Sequence, residues 1–201
     1  MRKRLIKNEI SNLDELILMA TVGKTITNSK TGQSYHFLQT AKSTNGSLLE
    51  MESVYDAYSK QPPMHYHPYQ EEYFKILKGE ITVKLGSVPK YLKQGDELYI
   101  PPNTNHAIWN TTDQPAVINW KVIPALESEY FLETITGLAN DDKTNARSKP
   151  AFLQLVLTAN KFSAEFRQSR PAFFIQKILF TILTPFAYLA GYRPVYKKYL
   201  D

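Results

Sequence analysis

The stretch from Gln61 to Asn110 constrains this chain more than any other. It opens QPPMHYHPYQEEYFKILKG and closes GDELYIPPNTNHAIWN. Of the four histidines in the chain, three fall here: His65, His67 and His106. A two-residue step along a strand returns to the same face, so His65 and His67 point together. Glu72 follows five positions after His67, with room for a bend between them. His106 comes later, behind Pro101, Pro102 and a polar turn. Three imidazoles and one carboxylate on neighbouring strands make a ligand set for a divalent metal ion, with borderline-soft nitrogens and one hard oxygen.

The spacing resembles that of the cupin family. The first cupin motif ends His-x-His, three or four residues, Glu, six residues, Gly; His65, His67, Glu72 and Gly79 meet it. The second runs Gly, five residues, Pro-x-Gly, two residues, His, three residues, Asn; Gly95, Pro101, His106 and Asn110 meet it. Ser59 stands where the first motif opens with Gly, and Asn103 where the second has its inner Gly. Asn tolerates a left-handed turn better than most residues. The resemblance implies a mostly β protein, a double-stranded β-helix (the cupin jelly-roll barrel). Cupins include dioxygenases, isomerases, decarboxylases, storage proteins and ligand sensors, so the fold leaves the activity open.

The rest of the chain agrees with a barrel followed by C-terminal α-helices. Short alternating runs separated by Gly-, Pro- and Asn-rich turns read as a double-sheet barrel over residues 22–124. Along residues 72–77, Glu72, Phe74 and Ile76 share one face and Tyr73, Lys75 and Leu77 the other. The face of Glu72 then lines the interior, and Glu71 points away. Ile118, Trp120 and Val122 form a second inward set. Phe74, Ile76, Ile108, Asn110 and Trp120 are the expected walls of a substrate pocket. No catalytic acid or base stands out: Tyr66 and Tyr73 alternate outward, while Glu52 and Asn110 can face the cavity. His36 has no metal-binding neighbour and reads as structural.

Residues 1–21 read as an N-terminal arm or short helix, and residues 125–201 as a helical extension. Residues 126–138 form one helix, ending near Gly137. Pro150 opens a second, which carries Phe152, Leu155, Val156, Ala159 and Phe166 at helical spacing. Pro171 opens a third, AFFIQKILFTILTPFAYLAGY, kinked at Pro185. This third helix is expected to be buried against the barrel or a dimer partner. Contact with a membrane surface is the alternative its flanking cations suggest, and a span needs about 20 apolar residues.

Charge and composition narrow the partners. Residues 1–130 carry 14 Lys and Arg against 14 Asp and Glu, and residues 131–201 carry 10 against 5, so the excess of +5 lies in the apolar tail. With no helix-turn-helix pattern ahead of the barrel, that placement argues against nucleic acid. The absence of cysteine excludes disulfides and thiolate metal sites, and it fits the cytoplasm. The apolar run at residues 16–20 is too short for a signal peptide. The ligand set implies one divalent ion (Fe, Mn, Ni, Cu or Zn) with an open position. The expected function is a metal-dependent oxygenase of a small organic molecule, working as a homodimer. A non-catalytic sensor or carrier, and a membrane-surface or partner-binding scaffold, are the alternatives.

Overall fold

The computed structural model describes residues 20–200, so the arm or helix expected over residues 1–21 lies almost wholly outside the described residues. Among the described residues, ten strands precede the helices: Thr25–Thr27 (β1), Ser34–Gln39 (β2), Leu49–Tyr55 (β3), His65–Tyr66 (β4), Glu71–Lys78 (β5), Glu80–Leu85 (β6), Val88–Lys93 (β7), Glu97–Ile100 (β8), His106–Trp109 (β9) and Ala116–Ile123 (β10). Helices follow at Ser128–Asn140 (α1), Phe152–Lys161 (α2) and Phe173–Leu189 (α3), with a two-residue strand, Arg167–Gln168 (β11), between the last two.

All ladders are antiparallel and form two sheets, as a jelly roll requires. One has the order β1-β2-β3-β10-β5-β8, the other β11-β4-β9-β6-β7. The alternation written in the sequence sets the faces. In β5, Glu72, Phe74 and Ile76 are buried and Tyr73, Lys75 and Leu77 exposed. In β3, Leu49, Met51, Ser53 and Tyr55 point in, which turns Glu52 outward to solvent. Glu52 therefore cannot face the cavity as the sequence allowed.

Apolar contacts form two clusters. Phe74, Ile76, Ile81, Val83, Ile100, Ile108 and Ile118 fill the space between the sheets. Ile26, Tyr35, Phe37, Leu49 and Met51 pack with Val122 and with Leu132 of α1, which closes one end of the first sheet. Trp120 touches both clusters.

The turns between motif strands need special backbone. Gly79 has φ +76°, and a Cβ there would lie 2.9 Å from the Pro115 carbonyl oxygen. Asn103 takes φ 62°, the left-handed conformation expected of it. Its backbone N–H donates to the His67 carbonyl at 2.8 Å, and its amide donates to the Pro68 carbonyl at 3.2 Å. The turn before His106 is thus tied to the segment that carries His67 just beyond β4.

The helices differ from the sequence reading in three respects, two of boundary and one of burial. Gly137 does not end α1, which continues to Asn140; Gly137 serves instead as a notch for the ring of Tyr199, 2.6 Å from where a Cβ would stand. Phe166 lies outside α2, which stops at Lys161. The third helix packs on α2 but buries only Gln176, Phe180 and Ala187, so the expected burial against the barrel is not found. Pro185 sits inside this helix. No helix among the described residues is long and apolar enough to cross a membrane.

Candidate metal centre

The second sheet places two of the histidines directly. His65 in β4 is the register partner of His106 in β9, and His67 follows two residues on from His65. One potential ligand atom from each of the three lies within 4.8 Å of the others. The His65 ring centroid is 4.4 Å from that of His106 and 5.3 Å from that of His67. Glu72 reaches in from β5 in the other sheet and is fully buried.

The imidazoles are held in one tautomer. His65 Nδ1 lies 3.0 Å from the Pro63 carbonyl oxygen and His106 Nδ1 2.9 Å from that of Thr104. His67 Nδ1 meets the carbonyl oxygen of Glu165. A carbonyl only accepts, so each Nδ1 carries a proton and donates it. The Nε2 lone pairs are left free, which is how metal-binding histidines are oriented by their surroundings.

Two of those Nε2 atoms face a carboxylate. Glu72 Oε1 lies 3.3 Å from His67 Nε2, and Glu72 Oε2 lies 3.0 Å from His106 Nε2. The indole N–H of Trp120 donates to Glu72 Oε1 at 3.1 Å and fixes the carboxylate. Despite these short distances, His67 Nε2 and Glu72 Oε2 are buried without an aligned hydrogen-bond partner. Buried lone pairs without donors are costly. A divalent cation among them would satisfy them all, so the residues present fit the ion.

Burial pushes the Glu72 carboxyl up, but the His67 and His106 rings outweigh it and bring it down to about 2. Burial, aided by the adjacent His106 and His67, takes His65 down to about 3 and leaves it a neutral donor. His106 is pulled down by burial, yet its contact with Glu72 prevails and raises it. Glu72 thus favours positive charge at this point of the site.

The helical extension also builds this site, which the sequence reading missed. β11 pairs with β4, Gln168 opposite His65 and Arg167 opposite Tyr66. The Ser169 N–H donates to the Met64 carbonyl at 2.9 Å. Phe166 stacks on His65 with centroids 4.6 Å apart and is backed by Phe131 of α1 at 5.2 Å. The Glu165 carbonyl orients His67. In the sequence, Phe166 looked like one more apolar position of α2, so only its loss of helical context would have flagged it.

The expected pocket residues separate into two groups. Phe74, Ile76 and Ile108 belong to the packed core between the sheets. Trp120 stacks on Phe74 at 5.6 Å and joins that core to Glu72. Asn110 is fully buried, and its amide serves a turn: it donates to the Gln114 carbonyl at 2.7 Å and accepts from the Thr112 N–H and hydroxyl at 2.8 Å. Tyr73 points outward, as expected, and donates to Glu71 at 3.2 Å. His36 bonds Thr25 Oγ1 at 2.8 Å, a structural role.

Residues 54–122 match a family model described as a cupin domain. Probable oxidoreductase yanE of Aspergillus niger is 43% identical over 56 residues, 27% of this chain and 22% of that protein. Probable oxidoreductase virH of Hypocrea virens is 28% identical over 151 residues, 69% of this chain and 67% of that protein. The chain thus spans about a fifth of the length of the first relative and two thirds of the second. An RmlC-like cupin from Shewanella frigidimarina, 20% identical, covers 55% of this chain and 97% of its own at a TM-score of 0.45.

Proposed function

Since this chain belongs to the cupin superfamily through the domain at residues 54–122, we propose that it is a mononuclear metal enzyme that oxidises a small organic molecule with dioxygen. The observation that carries this reading is the cluster of three tautomer-locked imidazoles, two of them within 3.3 Å of one buried carboxylate. His65, His67, His106 and Glu72 would hold the ion, and Trp120 would keep Glu72 turned toward it. When bound, such an ion supplies Lewis acidity and, in its redox-active forms, electron transfer. Phe166 and Trp120 supply the aromatic surface nearest the ligands, with Phe74, Ile76 and Ile108 packed behind Trp120. An apolar wall of this kind excludes bulk water and accepts a compact apolar substrate. The oxidoreductase names of yanE and virH support the same class of chemistry.

The test has two arms. Metal analysis of the purified chain should find one equivalent, lost in His65→Ala with His67→Ala. Chain loaded in turn with iron(II), manganese, nickel, copper and zinc is then offered flavonols, catechols, β-diketones and keto acids under air. Oxygen uptake with one metal form is the expected result. Tight reversible binding of one compound, with no oxygen uptake in any form, would replace the enzyme by a sensor or carrier.

A further inference from the structure

The third helix carries its apolar residues on two opposite sides. At ~100° per residue, Phe173, Gln176, Phe180, Leu183, Thr184 and Ala187 share the stripe that faces α2, and they are the buried or half-buried positions. The opposite stripe holds Phe174 (67% exposed), Ile178 (55%), Ile182 (57%), Phe186 (59%) and Leu189 (86%). A surface helix normally gives that second stripe to charged residues. Here Lys177 is the one charged side chain of the helix, and it lies on the flank between the two stripes. Exposed large apolar residues scattered singly mean little, but a contiguous patch marks a docking surface.

The charge around the patch selects what covers it. From residue 166 to residue 200 the sequence holds six Lys and Arg and no Asp or Glu. Arg170 precedes the helix, Lys177 flanks it and Arg193 and Lys197 follow it, all exposed. Among the described residues none of these four makes an ion pair with a carboxylate, whereas Lys198 is held by Asp141 at 2.8 Å. A second copy of the chain on a two-fold axis would bring this same cationic surface against itself. An anionic lipid surface matches both features, because its headgroups take the cations and its acyl boundary takes the phenylalanines and isoleucines. We propose that α3 docks this chain in plane on an anionic membrane surface, through Phe174, Ile178, Ile182, Phe186 and Leu189.

The inference does not depend on the chemistry of the metal centre. The full chain is sedimented with vesicles of phosphatidylcholine alone and of phosphatidylcholine with phosphatidylglycerol. Binding is expected only to the second, weakened by raised salt as the surface charge is screened. Ile178→Glu with Ile182→Glu should reduce binding at least tenfold. Lys177→Glu with Arg193→Glu should do the same through charge alone, and it leaves the apolar stripe intact should the first pair fail to fold. Unchanged metal content and melting temperature show that a variant is folded. Failure to bind phosphatidylglycerol vesicles, or equal binding by folded variants, overturns the proposal. So does light scattering that shows a dimer in the absence of lipid which Ile178→Glu with Ile182→Glu converts to monomer.

Discussion

Glu72 is where the two sheets meet chemically, and its charge sets how the site responds to substitution and to acid. Glu72→Gln keeps the shape but removes the negative charge, so affinity for a divalent ion should fall by ten- to a hundredfold in a chelator-competition titration. Unchanged affinity would remove Glu72 from the ligand set. Trp120→Phe removes the N–H that fixes Glu72 Oε1, and outer partners of this sort are worth about ten- to a hundredfold in metal affinity. The pH response follows from the same groups. Glu72 is brought down from 4.5 to about 2, so its contribution to stability is full above 4.5 and is lost as the pH falls toward 2. His65 is taken down from 6.5 to about 3, so the unfolded chain gains its proton first and stability also falls between those values. His106, raised above 6.5, acts in the other direction: its contribution is full below 6.5 and declines as the pH rises through its folded value. Denaturant melts of metal-free chain should therefore show their loss on acidification below about pH 4.5, where His65 and Glu72 act together and the opposing gain from the buried Glu129 carboxyl is complete, and a flat profile from there to pH 3 would contradict the buried neutral His65.

At the scale of elements, the strands were legible because alternation encodes one buried face: Glu72 marked the inward face of β5, and Ile118, Trp120 and Val122 that of β10. The His-x-His step and the turn before His106 were legible because their residues are chemically unusual. The two-residue strand β11 was not, since two residues carry no period and its pairing with β4 joins positions far apart in sequence. The helix α1 hides two further features. Glu129, in its first turn, is buried and accepts the Ala41 N–H at 2.9 Å. Burial raises its carboxyl to about 7, outweighing that bond. Its contribution to stability is thus full below 4.5 and is lost as the pH rises through about 7. Glu129→Gln should flatten that decline and be more stable than the parent at pH 8 by about 2 kcal/mol; a parallel pair of pH profiles would refute the assignment. Gly137→Ala would help an isolated helix by about 1 kcal/mol. In this chain the new Cβ meets Tyr199, so a net destabilisation of about 1–3 kcal/mol is expected in denaturant melts. A stabilised variant would mean that the tail gives way freely.

For the whole molecule, the extension is part of the site rather than an appendage to it. Its tail is fixed along α2, where Gln154 donates to the Arg193 carbonyl at 2.8 Å, and against α1, where Tyr199 and Lys198 donate to Asp141 at 2.7 and 2.8 Å. Metal at a hundred times its dissociation constant should stabilise the folded chain by about 2.7 kcal/mol. Hydrogen exchange should then slow at Gln168 and Ser169 as well as at residues 65–67 and 106. Protection confined to the barrel residues would show that the extension is energetically separate. The pairing of β11 with β4 also orders events during synthesis. A ribosome that has delivered every strand from β1 to β10 has made His65, His67, Glu72 and His106, yet His67 still lacks its carbonyl and His65 its aromatic cover. Both arrive only with residues 165–169. An ion held there as proposed would gain its finished surroundings only after most of the extension has emerged, late in the protein's assembly.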